Sequence, residues 1–441
     1  MAAPMSVRSP GAAPGTTPPS PGALKRIGAW IDRQDVRFGP RTDRVLLGVL
    51  LAIALQTWLV HTRKGSDYDV FHLAAQRFVA GEALYRAEDG AYPFKYLPVA
   101  VVPFVPLAPL PAPAASLVWV LLAAVALARV QHRCGERLPA SPPLSTHLAV
   151  MVLLFPFSIH LFSRGQTDGL LLWLVLLSQA LALSRPWSSG ILWAVACLFK
   201  PPFLALVPIA LLDRGWRRLA GLGLGMAVGL VLPALRYGWT GNLELLASWR
   251  TILDATTPPM LCYRMNQSLF GIACTYIADP ADPGRFRAAV LVLAATVCVL
   301  FGLAVLAIRA RSRADGRRAA FEALLYLSAF LSPLGWRTNL IAAAPLFYRL
   351  IGLARGLDAR IRHGAWTALA IVFLVQRVNY EVVGADRFDW LLYHRQYGLS
   401  TLLGAVAALG LGALAAYLGP ASDPAARGRA GAPAGPGSGP T

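Results

Sequence analysis

The sequence predicts an all-α polytopic membrane protein, on three observations. Of its 441 residues, 56% are hydrophobic and only 14% are charged. Apolar runs near the roughly 20 residues that a helix needs to cross a bilayer recur from Val45 to Tyr417. Arginines gather in short stretches between these runs, the pattern that orients membrane proteins. The net charge of +19 therefore indicates orientation in a membrane and not nucleic-acid binding, and a β-barrel would show short alternating segments instead.

The charge pattern also predicts the topology. Basic residues gather ahead of the first span, 43–61, so the tail 1–42 is expected to be cytoplasmic and partly disordered. Arginine-rich and arginine-poor loops then alternate to give about twelve spans, with both termini in the cytoplasm. Prolines interrupt residues 98–131, where one net crossing fits the charges but two spans stay open. The tail 419–441, rich in Pro, Gly and Ala, is expected to be disordered.

The predicted spans fall into two blocks, 43–235 and 287–418. A long polar segment, 236–286, separates them and is expected on the extracytoplasmic side. This segment contains Cys262 and Cys274. In an oxidising compartment the two thiols would form a disulfide, and a pair of unpaired thiols is an equally open alternative.

The first extracytoplasmic loop, 62–97, carries two carboxylates directly after the first span, at Asp67 and Asp69. Apolar residues at helical spacing follow and predict a short amphipathic helix that ends near Gly81. The apolar face expected for this helix consists of Val70, Leu73, Ala74, Phe78 and the stem of Arg77. Such a helix is suited to the membrane interface.

Lys200 stands inside an apolar stretch, directly before Pro201 and Pro202. Because prolines stop a helix and a lysine in hydrocarbon needs a partner or water, we expect two short helices to meet at Lys200. The predicted topology puts Lys200 on the same side as the two acids, together with Gln166, Arg264 and Trp336.

Five short motifs follow one another in the first three quarters of the chain. They are Asp67-Tyr68 with the later Tyr96-x-Pro98, Gly165-Gln166, Gly190 followed by Lys200-Pro201-Pro202, Asn266-Gln267-Ser268-Leu269, and Ser332-Pro333-x-x-Trp336. In this order they resemble the motifs of glycosyltransferase family 87, whose members are GT-C-fold, polyprenyl-phosphate-sugar-dependent mannosyltransferases and their relatives. The family often has two histidines after the tryptophan, where this chain has Thr338 and Asn339.

The resemblance implies a GT-C core over 43–235 with a catalytic first loop at 62–97. It implies transfer of a sugar, mannose or another hexose or pentose, from a polyprenyl phosphate to a hydroxyl of a glycan or glycolipid. Transfer would proceed with inversion at the extracytoplasmic face of the plasma membrane. A base for the hydroxyl and a cation for the leaving phosphate are the minimum equipment, so no cofactor is expected and nothing indicates a metal.

The base is expected to be Asp67, with Asp69 second, since residues two apart on a helix face different ways. Lys200 is the first candidate for the lipid phosphate. The other expected substrate-binding residues are Gln166, Asn266, Arg264, Trp336, Arg337 and Tyr96. Purely structural alternatives stay open for these residues. The two acids could cap a helix, Lys200 could snorkel to the membrane interface, and the amides of Gln166 and Asn266 could only pack a loop.

Asp168 is expected to cap the span that follows it, and His160 to be structural. A second class of protein, a transporter or flippase, stays open as well. It would often show internal repeats and charges at the midplane of its spans, whereas here the polar residues concentrate in outer loops. A third possibility is a non-catalytic partner in a membrane assembly.

Overall fold

The computed structural model describes residues 41–61, 66–89, 93–138, 141–356 and 358–418. Within these residues the regular structure is entirely helical. The predictions of disorder fall almost wholly outside the described residues, apart from Arg41 and Thr42 of the N-terminal tail.

The first half of the chain forms nine α-helices among the described residues. They are α1 (Thr42–His61), α2 (Asp67–Ala80), α3 (Ala112–Gly135), α4 (Leu144–Arg164), α5 (Asp168–Leu181), α6 (Pro186–Phe199), α7 (Val207–Leu212), α8 (Trp216–Val231) and α9 (Ala234–Thr256). The second half continues this pattern. Its helices are α10 (Leu269–Tyr276), α11 (Pro283–Arg311), α12 (Arg313–Phe330), α13 (Ala344–Ala354), α14 (Ala359–Arg377), α15 (Tyr380–Val383), α16 (Ala385–Tyr393) and α17 (Gln396–Leu418).

Short 3-10 helices lie where prolines or tight packing interrupt the α-helices. They are Ala87–Asp89, Pro98–Leu107, Pro201–Leu206, Pro258–Met260 and Arg337–Ala343. Lys200 lies at one such junction, between α6 and Pro201–Leu206, which confirms the break predicted there. Residues 98–107, with internal prolines, form a 3-10 helix rather than the first part of a long span.

Within the described ranges, five helices are long and apolar enough to cross a membrane: α1, α3, α4, α11 and α17. A sixth candidate is the pair α8 and α9, which bends by 87°. Several helices assigned as spans from the sequence, α5 and α6 among them, are shorter. The count of about twelve spans therefore stays a prediction.

Exposed apolar side chains show why the chain needs a lipid environment. Many apolar side chains along α11 are exposed: Leu291, Val292, Val299, Leu300, Leu303 and Leu306. A soluble protein rarely leaves an apolar face of this extent in water. By contrast, α3 and α4 are more than half buried and belong to the centre of the bundle.

The bundle has two polar ends, and each gathers loops that the charge pattern assigns to one side. At one end, Arg318 donates a hydrogen bond to the carbonyl of Arg137, and Arg349 pairs with Glu322. Arg137 and Arg318 come from stretches predicted to be cytoplasmic, whereas Glu322 and Arg349 belong to predicted spans, 319–333 and 338–354. At the other end lie the first loop, the turn after α4, the break at Lys200 and the segment after α9.

The helix α2 ends at Gly81, in the left-handed conformation, but its buried face differs from the expected one. Tyr68, Phe71 and His72 are buried, whereas Leu73 is exposed. The reason is an aromatic cluster: the Phe71 ring stacks on Phe104 at 4.6 Å, and Phe104 lies 4.3 Å from Trp119. Packing of α2 onto the 3-10 helix Pro98–Leu107 thus decides which face of α2 is buried. The face predicted from hydrophobic periodicity differs from the observed face by about one residue position.

The polar segment 236–286 is largely helical, and its extracytoplasmic position stays a prediction. Cys262 and Cys274 form a disulfide, one of the two alternatives that the sequence left open. The buried guanidinium of Arg395 donates to the carbonyl oxygens of Cys262 and Gly271. These bonds hold the segment against the start of α17.

Candidate active site

A cavity of about 900 Å³ opens at the polar end that contains the first loop. Its walls come from five parts of the chain that are distant in sequence. They are the start of α2 with the segment 93–96, the turn between α4 and α5, the Lys200 break, residues 253–265, and residues 328–342. Charged and polar groups therefore converge on one space otherwise lined by apolar side chains.

Asp67 and Asp69 both begin α2, but they make different contacts. The carboxylate of Asp69 accepts a hydrogen bond from the backbone N–H of Ser66 at 2.7 Å, which caps the helix. The carboxylate of Asp67 instead accepts a hydrogen bond from the side-chain amide of Gln166. The helix-cap alternative thus describes Asp69, while Asp67 stands beside Gln166. Both acids line the cavity.

The turn after α4 brings Gln166 to Asp67. Gly165 ends α4 with a φ of +63°, and a Cβ there would lie 2.7 Å from the Cβ of Tyr68. The indole of Trp119 donates a hydrogen bond of 2.9 Å to the carbonyl of Gly165. Only glycine accommodates both the left-handed turn and the close approach of α2, which gives the Gly165-Gln166 motif a physical reason.

Burial raises the pKa of the Asp67 carboxyl above its ordinary value. The hydrogen bond from Gln166 and the positive charges of Arg164 and Lys200 act in the opposite direction, and the negative charge of Asp69 adds to the rise. A carboxylate with a raised pKa is a stronger base than one in water, as general-base catalysis requires.

Lys200 has a carboxylate partner. Its ammonium lies 2.6 Å from the Asp168 carboxylate and 3.5 Å from the side-chain oxygen of Asn339. All three line the cavity. The expectation that Asp168 caps its own helix is wrong. Asp168 is the first residue of α5, one of its carboxylate oxygens pairs with Lys200, and the other is buried with no hydrogen-bond partner among the described residues. Snorkelling is not needed to explain a lysine that has this partner.

Two aromatic residues complete the predicted site. Tyr96 lies between Phe71 and Phe199, with ring centroids at 5.0 and 6.3 Å, and burial raises the pKa of its hydroxyl. Trp336 lines the cavity and meets Tyr263 edge to face at 6.3 Å. Both rings offer flat apolar surface of the kind that sugar faces pack against.

Three expected substrate-binding residues do not line the cavity. Asn266 is fully buried, and its amide bonds the carbonyls of Leu261 and Pro333. Arg264 points away and pairs at 3.1 Å with Asp389 on the surface. The guanidinium of Arg337 lies over the ring of Tyr397.

The structure adds residues to the cavity wall that sequence reasoning missed or set aside. Asp168 was set aside because an acid at the start of a helix most often serves the helix itself. Asn339 replaces one of the histidines that the family often has, and it approaches Lys200 from the 3-10 helix Arg337–Ala343. His160, expected to be structural, also lines the cavity. Its position in the last turns of α4, five residues before Gly165, was the available signal.

No cluster of three or more His, Cys, Asp or Glu side chains suited to a metal ion is found in the described part of the chain. The acids at the cavity have other partners: Asp67 has Gln166, Asp69 has the Ser66 amide, and Asp168 has Lys200. Independence from metals and cofactors stays a prediction.

An all-helical membrane protein with a base and a cation around one cavity is equipped for group transfer to a hydroxyl. Comparison with known proteins gives the class. Residues 94–335, more than half of the chain, match glycosyltransferase family 87. The chain belongs to this family, as the motifs indicated, and is a membrane glycosyltransferase. Membership of this family favours the enzyme over the transporter.

One curated relative matches along most of its length. It is the polyprenol-phosphate-mannose-dependent alpha-(1-2)-phosphatidylinositol pentamannoside mannosyltransferase of Mycobacterium tuberculosis (strain CDC 1551 / Oshkosh). The two chains are 28% identical over 379 residues, which cover 81% of this chain and 82% of the relative. No solved structure matches this chain.

Proposed function

We propose that this protein transfers a sugar, mannose or another hexose or pentose, from a polyprenyl phosphate to a hydroxyl of a glycan or glycolipid. The observation that carries the proposal is the presence of Asp67 and Lys200 on the wall of one cavity. The mannosyltransferase relative, whose name states a polyprenol-phosphate-mannose donor and a phosphatidylinositol mannoside acceptor, supports these substrate classes.

In the proposed reaction the acceptor oxygen attacks the anomeric carbon of the donor sugar. The hydroxyl proton passes to the carboxylate of Asp67 as the new C–O bond forms. The bond from the anomeric carbon to the phosphate oxygen breaks, and the phosphate keeps the electron pair. A single displacement of this kind inverts the anomeric carbon, and no cofactor takes part.

Lys200 is proposed to stabilise the charge that develops on the leaving phosphate. Its ammonium is held by Asp168, and Asn339 lies beside it. A fixed cation in a site with little water stabilises developing charge more than a mobile one in solvent. Apolar residues next to it, Phe199, Phe203 and Ile341, suit a polyprenyl chain.

The reaction is proposed to occur on the extracytoplasmic face of the plasma membrane. The arginine-rich loops lie at the end of the bundle away from the cavity, and such loops stay in the cytoplasm. Donor and acceptor, each with a lipid part, would then reach the cavity along the bilayer.

The test is an assay of purified protein with a panel of polyprenyl-phosphate sugars, followed by linkage analysis of the product. We expect one donor sugar to be used and the product to have inverted configuration. Asp67→Asn should abolish transfer while leaving expression and donor binding intact, because an amide cannot take the proton. Asp69→Asn is the matched control and should retain turnover. Turnover by Asp67→Asn would rule out this base, and loss in Asp69→Asn alone would transfer the role to Asp69.

A further inference from the structure

Lys95 lies on the cavity wall and is held there by its backbone. It follows Phe94 in an extended segment that leads to the 3-10 helix Pro98–Leu107. Its carbonyl accepts a hydrogen bond of 3.1 Å from the indole of Trp249 on α9. Its ammonium meets the carbonyl oxygen of Thr256, at the end of the same helix, at 3.4 Å.

Lys95 differs in its partners from Arg77 and Lys200, two other cations of the wall. Arg77 and Lys200 each have a carboxylate oxygen at 2.6 Å, from Asp89 and Asp168. For Lys95 the structure shows no carboxylate partner within the described residues, only the carbonyl oxygen of Thr256. Burial lowers its pKa, and no neighbouring acid offsets this effect. A half-buried ammonium without a counter-charge is unfavourable unless an anion joins it.

The position of Lys95 separates it from the reacting groups. Among the reacting groups, Asp67 contacts Gln166 and Lys200 contacts Asp168. The side chain of Lys95 instead contacts the end of α9, in the part of the wall that Leu253 and Thr257 also form. An anion at Lys95 therefore lies in a different part of the cavity from a phosphate at Lys200.

We propose that Lys95 binds an anionic group, a phosphate or a carboxylate, carried by the acceptor. This inference rests on the proposed function. A polyprenyl-phosphate sugar brings one phosphate, and Lys200 is assigned to it. A further cation of the same cavity, with no carboxylate partner among the described residues, then fits an anion that enters with the other substrate. Lys95 thus selects charged acceptors over neutral ones.

The experiment uses purified full-length protein and three synthetic probes: an alkyl mannoside, the same mannoside with a phosphodiester, and the same mannoside with a carboxylate. We expect the wild type to prefer the charged probes. Lys95→Met should raise KM for them about tenfold, as the loss of a charge-assisted hydrogen bond does. The kcat, the donor KM and the KM for the neutral probe should stay unchanged. Lys95→Arg should restore the preference in part.

Arg250→Met is the matched control, since it removes an exposed cation from α9 and should change none of these values. A preference for the phosphodiester alone would identify a phospholipid-derived acceptor. Equal use of both charged probes would show that the site at Lys95 accepts either anionic group. Equal use of charged and neutral probes by the wild type, or a rise in donor KM with Lys95→Met, would overturn the proposal.

Binding of the three probes is measured without donor as well, which separates this inference from the proposed function. If no donor supports transfer, the proposed function fails. Tighter binding of charged probes that Lys95→Met abolishes would then still support an anion site at Lys95, and its absence would refute one.

Discussion

As the proposed base, Asp67 must be ionised to take a proton, so its raised pKa predicts how transfer depends on pH. Below that pKa the carboxyl holds a proton and transfer stops; above it activity is full. The acidic limb of kcat/KM should therefore lie at higher pH than the ordinary aspartate value of about 3.9. Rates with a fixed donor, measured across the acidic range, check this.

Gln166→Ala tests the cause of this limb. The Gln166 amide donates to the ionised carboxylate and so lowers its pKa against the effect of burial. Without it the limb should move to still higher pH, with activity retained at alkaline pH. A limb that stays in place would show that another group controls it.

Asp168 and Lys200 form a pair whose carboxylate is almost fully buried. Asp168→Ala leaves the ammonium without its counter-charge and should destabilise the protein by about 3–5 kcal/mol. The double variant Asp168→Asn with Lys200→Gln removes both charges and should recover most of the stability but no transfer. Thermal unfolding in detergent and donor turnover, measured on the same samples, separate the two effects. A double variant that transfers sugar would remove Lys200 from the phosphate site.

At the scale of the element, the contact between α6 and α8 sets the position of Lys200. A Cβ on Gly190 would overlap the carbonyl oxygen of Arg218, and one on Gly221 would lie 2.5 Å from the carbonyl oxygen of Trp187. Small residues let the two backbones touch, as in other membrane helix pairs. Lys200 follows directly at the end of α6, so helix spacing and site geometry are coupled.

Gly190→Ala should force the two helices apart and cost about 1–3 kcal/mol, because backbone atoms cannot make room as a flexible side chain would. Gly223→Ala is the control on α8, where a Cβ meets nothing within 4 Å. It should be neutral or slightly stabilising. The unfolding temperatures of both variants test this prediction. Equal unfolding temperatures for Gly190→Ala and Gly223→Ala would contradict the close packing of α6 and α8.

For the whole molecule, the predicted topology places the cavity outside the cytoplasm. Arg250 and Arg317 are exposed and belong to opposite polar ends. In intact cells, Arg250→Cys should react with a membrane-impermeant maleimide, and Arg317→Cys only after permeabilisation. The unsubstituted protein gives the background from native cysteines. The reverse pattern would invert the topology and move the proposed reaction to the cytoplasm.

The helical membrane class, the break at Lys200 and the family could be predicted from the sequence, because apolar run length, proline chemistry and motif order are local properties of the chain. Which polar groups meet could not be predicted in this way and became clear from the fold. It paired Lys200 with Asp168, turned Asp67 rather than Asp69 toward Gln166, and took Asn266 into the interior. The physical reason is packing: contacts between helices far apart in sequence set the direction of each side chain, and spacing along the chain does not contain that information.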